Sequence, residues 1–172
     1  MKSEHQRVFF ALWPAPELAG CLHALGAPFS GRPMPEDSLH LTLAFLGEVS
    51  PAQIELLCEI AAGLSLPRCG LRIDQLGYWP HNRILWAGPG QLPEGLQRFV
   101  AELHEALRAA GFALEARAFR AHITLQRKAE DPGFDICEAP ALILPVASWC
   151  LAASQAEGAG SRYRVLQSWP AA

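Results

Sequence analysis

Apolar positions in this chain recur at two spacings, and each change of period marks a new element. Residues 7–13, RVFFALW, are a short apolar and aromatic run closed by Pro14, the pattern of a buried strand. A helix is expected over 16–25, then a loop over 26–37 in which Pro28, Pro33 and Pro35 break any regular period. The run 39–47, LHLTLAFLG, returns to strand character. Ser50 followed by Pro51 is an N-cap with proline at the first helical position, and Ile54, Leu57, Cys58 and Ala61 carry helical spacing to about residue 64. Strands over 70–79 and 84–87 flank PHNR, a hairpin connection. The next helix is expected over 93–110, where Leu96, Phe99, Val100, Leu103 and Leu107 form one apolar stripe and Gly111 supplies the stop. Strands over 121–126, 142–153 and 162–168 complete the chain, the last two joined by a turn at 158–160. This order predicts an α+β fold with antiparallel sheets, not a doubly wound one.

Composition narrows the class. The 172 residues are 51% hydrophobic and 18% charged, enough for one compact domain that needs no disulfide or structural metal. A formal net charge of −3 without any block of like charge argues against a protein that covers many phosphates of a long duplex. Any nucleic acid would be met at one local site. Of the 14 basic residues 12 are arginine, which reflects base composition more than phosphate recognition. The five cysteines, Cys21, Cys58, Cys69, Cys137 and Cys150, are scattered and lack a C-x-x-C, so reduced thiols in a cytoplasm are expected. The opening MKSEHQR turns apolar only over 8–13, too briefly for a signal sequence or a membrane span.

The chemistry concentrates in a pair of motifs. The chain has two threonines, and each stands two residues after a histidine: His40-Leu41-Thr42-Leu43 and His122-Ile123-Thr124-Leu125. With six histidines, chance would place both threonines so about once in a thousand. The copies lie 82 residues apart, close to half the chain, as an internal duplication would leave them.

In a strand, period two sends histidine and threonine to one face and the apolar residues to the other. Two such strands related by an approximate two-fold axis place two imidazoles and two hydroxyls around one small group. An unperturbed imidazole pKa near 6.5 lets one ring be protonated and the other neutral at physiological pH. A general acid and a general base then flank a reacting centre, the arrangement for in-line attack on phosphorus. The threonine hydroxyls can donate to the non-bridging oxygens. Nothing in this scheme requires a metal or cofactor. A zinc site built from His40 and His122 with Asp37, Glu48 or Glu130 is the alternative, without a diagnostic ligand spacing.

These motifs, with the flanking segments RVFFALWP, SLHLTLAFLGEVS, NRILWAG, FRAHITLQR and SRYRVLQSW, resemble the two-histidine (2H) phosphoesterase superfamily. Within it the resemblance is to the RNA 2′,3′-cyclic phosphodiesterases of the LigT or ThpR type, also described as 2′-5′ RNA ligases. It implies a bilobal α+β fold: two antiparallel sheets around a central cleft, helices outside, and a pseudo-two-fold duplication that makes residues 1–172 one domain of two interleaved lobes. It further implies that His40 is the proton donor to the departing ribose oxygen and His122 the proton acceptor that activates water. Thr42, Thr124 and Arg127 would bind the phosphate, and the product would be a 2′-phosphate.

Strict alternation from His122 sends Arg127 to the apolar face, so that role requires the strand to end or bulge after Leu125. Phe9, Tyr78, Trp79, Arg83, Phe119 and Tyr163 lie in segments that resemble the family's cleft walls, and Phe9, Arg83, Phe119 and Tyr163 are the candidate substrate contacts. His81 is expected in a solvated turn, while His5, His23 and His104 lack the threonine companion and receive no chemistry.

The implied partner is an RNA with a 2′,3′-cyclic phosphate end, tRNA fragments included, met by a cytoplasmic monomer without membrane association. Reverse 2′-5′ ligation is a lesser expectation. The alternatives are a phosphodiesterase for small cyclic nucleotides or 2′-5′ linked substrates, and an RNA-end or nucleotide binding module without turnover.

Overall fold

The structure, a computed structural model, describes residues 4–158 and 160–172. Met1 to Ser3 and Ala159, the centre of the turn expected at 158–160, lie outside the described residues.

Strand β1 (Gln6–Leu12) is buried on both faces from Val8 onward, which is why it reads as an unbroken apolar run. Helix α1 (Pro16–Gly26) follows with proline at its start. The expected loop over 26–37 holds a two-residue strand β2 (Arg32–Pro33) and one 3₁₀ turn (Glu36–Ser38). These were hidden because neither is long enough to show a period.

Strand β3 (Leu41–Val49) leads into α2 (Pro51–Ala62). The predicted cap is a full capping box: Gln53 N–H donates to Ser50 Oγ at 3.2 Å and Ser50 N–H donates to Gln53 Oε1 at 2.8 Å. The hairpin of β4 (Cys69–Trp79) and β5 (Ile84–Gly88) precedes α3 (Glu94–Ala109). The buried stripe of α3 is the predicted one, and the helix ends in a Schellman motif at Gly111 (φ 92°). There the Phe112 N–H reaches Leu107 O at 3.0 Å and the Gly111 N–H reaches Arg108 O at 3.0 Å. Strand β6 (Ile123–Arg127) comes next.

The strand expected over 142–153 is in fact two. Strand β7 (Ile136–Val146) pairs with β4, whereas β8 (Ser148–Glu157) pairs with β1 and with β9 (Gly160–Pro170). The chain crosses from one side of the molecule to the other at Ala147, and the continuous hydrophobicity of LILPVASWCLAA conceals the crossing.

Hydrogen bonding runs in the order β7-β4-β5-β6-β3-β1-β8-β9, with β2 attached to β6. Two four-stranded antiparallel sheets therefore meet at the centre, through a single residue pair, Leu41 with Ile123. The helices are exchanged between them. Helix α1, which connects β1 to β3, packs on β6 and β7 of the other sheet, while α3, which connects β5 to β6, packs on β3. Among the described residues no helix is long and apolar enough to cross a membrane.

Candidate active site

Leu41 and Ile123 occupy the same place in the two motifs, so the pair that joins the sheets marks the pseudo-two-fold axis. Both are fully buried and point into the core. Their neighbours point the other way. Antiparallel register brings Thr42 beside His122 and His40 beside Thr124, so each side of the junction offers one imidazole and one hydroxyl. No further pairs form between β3 and β6, leaving a cleft between the sheets. Thr42, Trp79 and His122 line a cavity of about 890 Å³ there.

Each imidazole is anchored identically. The Nδ1–H of His40 donates to Ser38 O at 2.8 Å, and the Nδ1–H of His122 donates to Arg120 O at 2.8 Å. A carbonyl oxygen only accepts, so Nδ1 carries the proton in both rings and Nε2 remains for proton transfer.

Their surroundings differ. His40 stacks on Phe9 (4.8 Å between centroids) and Trp13 (4.7 Å), with the edge of Tyr163 at 5.0 Å. His122 meets Trp79 edge-on at 4.6 Å and Trp86 at 6.5 Å. Burial lowers the His40 pKa to about 4, aided by the charges of Arg127 and His122 and opposed by the bond to Ser38. Burial also lowers that of His122, with Arg120 and Arg127 adding to the effect and the Arg120 carbonyl and Glu115 opposing it. Both shifts favour the neutral imidazole at pH 7, against the expectation of one protonated ring.

The orientation of Arg127 follows from a bulge. Strand β5 pairs Leu85 with Gln126 and Trp86 with Thr124, skipping Leu125. Gln126 is consequently buried against α1, donating from Nε2 to Gly26 O at 2.7 Å and Phe29 O at 3.1 Å. Arg127 returns to the cleft face, where its charge acts on both imidazoles. Lys128, in a left-handed conformation (φ 51°), ends the strand.

Strand β3 carries the matching bulge. Strand β1 pairs Phe10 with Ala44 and Ala11 with Thr42, skipping Leu43. Each bulged carbonyl is rescued from elsewhere: Leu43 O accepts from His104 Nε2–H at 2.7 Å, and Leu125 O from the Met34 N–H at 2.9 Å.

Known proteins resemble this chain along nearly its whole length. The family description "LigT like Phosphoesterase" matches residues 14–86 and again 87–155, one match for each motif. The chain belongs to this family. The RNA 2′,3′-cyclic phosphodiesterase of Escherichia coli K12 is 36% identical over an alignment covering 97% of each chain. The protein of that name from Thermus thermophilus is 33% identical over 95% of this chain and 89% of its own. Among solved structures, Escherichia coli LigT complexed with 3′-AMP superimposes with a TM-score of 0.87 at 32% identity, covering 98% of this chain and 99% of that one.

In this LigT-like phosphoesterase the other sequence candidates separate into groups. Phe9 and Tyr163 pack against His40, with Phe9 buried to 3% exposure. Trp79 walls His122, while Tyr78 faces the core and donates its hydroxyl to Ala129 O at 3.3 Å. Phe119 sits in the segment after α3, edge-on to His104 at 6.0 Å, and lines the cavity with the exposed His81. Arg83 is tied to the turn after β6: its Nε–H donates to Ala129 O at 3.2 Å and its Nη2–H to Lys128 O at 3.3 Å. Among the described residues no three His, Cys, Asp or Glu side chains gather as a metal site.

Sequence reasoning missed Trp13, Arg120 and His104. Trp13 donates from Nε1 to Asp37 O at 3.1 Å while covering His40, and the Arg120 guanidinium lies 5.2 Å over the Trp86 ring. Trp13 keeps the strand alternation of Phe9 and Ala11, a signal that was available. His104 had none, because its partner is a carbonyl exposed only by the bulge.

Proposed function

We propose that this protein hydrolyses the 2′,3′-cyclic phosphate at an RNA end to a 2′-phosphomonoester by acid–base catalysis from two histidines. The observation that carries this reading is the pair of imidazoles, each locked with Nδ1–H on the carbonyl two residues back and Nε2 free, on opposite sides of one junction. His122 Nε2 takes a proton from water as the water oxygen attacks phosphorus. The bond from phosphorus to O3′ breaks, and the His40 imidazolium gives its Nε2 proton to O3′. Thr42 and Thr124 donate to the non-bridging oxygens, and Arg127 offsets their developing charge. The names of the relatives support the substrate class, and resemblance supports which histidine is the acid. We take residues 1–172 as one domain acting as a cytoplasmic monomer.

The lowered pKa of His40 fits a donor that is charged only with substrate in place. An imidazolium in an aromatic pocket releases its proton readily, and the anionic phosphate raises its pKa on binding. In the free enzyme the proton is gained only as pH falls, so kcat/KM should rise as pH drops below 7 and then fall as the base becomes protonated. The high-pH limb of kcat should lie at higher pH than that of kcat/KM. A kcat/KM that climbs steadily above pH 7 would overturn the paired roles.

The reaction is tested with a short RNA ending in a 2′,3′-cyclic phosphate, excess EDTA, and phosphorus NMR of the product. A 2′-phosphate made by the wild type and not by His40→Ala is expected. A 3′-phosphate would reverse the leaving oxygen, and binding of the RNA end without turnover would make this a binding module.

A further inference from the structure

The matched bulges deliver one residue to the cleft face beyond each motif. On β6 it is Arg127; at the same offset from the motif on β3 it is Phe45, which pairs with Phe9 of the cleft-facing row. Phe45 is 45% exposed, a large apolar ring left open on the edge of β3 that borders the cleft, and it lines the cavity that contains Thr42 and His122. The Arg7 guanidinium lies over its ring, 4.6 Å from the centroid. Arg7 is exposed and, among the described residues, makes no ion pair, although Glu48 stands opposite it in the register.

Position decides what this pair can serve. Arg7 lies four residues along β1 from Ala11, the partner of Thr42, so about 13 Å of strand separates its backbone from the reaction centre. The guanidinium rests over Phe45 and not over either motif, which places the charge beside the reaction centre and along the strand from it. A cation there is matched to a second phosphate. An exposed aromatic ring beside a cation is the arrangement that holds a base and its backbone in single-stranded nucleic acid.

We propose that Phe45 and Arg7 form a subsite for the penultimate nucleotide: Arg7 swings off the Phe45 ring to pair with the phosphodiester that links this nucleotide to the cyclic end, and the ring face it uncovers stacks on the base. The preferred substrate is then an RNA of at least two nucleotides, not a cyclic mononucleotide. This deepens the cyclic-phosphodiesterase reading above and rests on it.

The test compares kcat/KM on adenosine 2′,3′-cyclic phosphate and on the dinucleotide ApA ending in the same cyclic phosphate. Phe45→Ala should lower the dinucleotide value about tenfold while changing the mononucleotide value less than about twofold, and Phe45→Trp should restore it. Arg7→Ala should lower the dinucleotide value and flatten its salt dependence. An equal fall on both substrates would assign Phe45 to the terminal nucleoside and overturn the proposal, as would an unchanged dinucleotide value.

Wild type inactive on both substrates would instead defeat the proposed reaction. Binding of ApA 2′-phosphate, read by tryptophan fluorescence, then decides the subsite. Weakening by Phe45→Ala of about tenfold would support it and no change would overturn it.

Discussion

The strands β3 and β6 carry the same motif, the same anchor on the carbonyl two residues before the histidine, and the same bulge, yet they end differently. Beyond its bulge β6 presents Arg127, whereas β3 presents Phe45 beneath Arg7. The imidazole surroundings differ as well: His40 is stacked between Phe9 and Trp13, whereas His122 meets Trp79 and Trp86 edge-on and feels the charges of Arg120 and Glu115. On the proposed mechanism, proton transfer at phosphorus needs a titratable group on each side, which accounts for the matched histidines. One phosphate needs only one nearby guanidinium, so the position beyond the bulge is free to differ.

That comparison can be broken most forcefully at the matched residues. His40→Ala and His122→Ala should each lower kcat by about 10²-fold or more, since proton transfer typically supplies about 10² to 10⁴. Near wild-type turnover in either variant, measured on the cyclic-phosphate RNA, would end the two-histidine mechanism. Arg127→Ala should cost about 10²-fold in kcat, the scale of losing one donor to a developing anion. A change confined to KM would instead place Arg127 in ground-state binding.

The smallest effect concerns how the bulges are held. His104→Leu removes the donor to Leu43 O and should destabilise by about 1–3 kcal/mol in thermal melts, with His104→Gln recovering part of it. Unchanged stability in the leucine variant would show that water satisfies the carbonyl as well as the imidazole does.

Much of this was legible one element at a time. The apolar stripe of α3, its glycine stop and the Ser50 cap of α2 are local patterns, and the helices form where those patterns predict. The paired motifs were legible because only two threonines exist and both fall beside histidine. The split of 142–153 was not, because both halves are apolar and nothing local says that they join different sheets.

Arg127 illustrates the boundary between the two kinds of information. Alternation alone assigned it to the core face, and the bulge reversed that assignment by inserting one residue into the ladder. The lowered imidazole pKa values are of the same kind, since desolvation depends on rings that arrive from β1, β4, β5 and β9. Sequence alone determined most of the α+β elements and the two matched His-x-Thr motifs, because period, composition and motif spacing are properties of the chain. Tertiary structure decided the exchange of α1 and α3 between sheets, the single-pair junction and the direction of Arg127 and Phe45. Those depend on which backbone groups, far apart in the chain, find one another as hydrogen-bond partners.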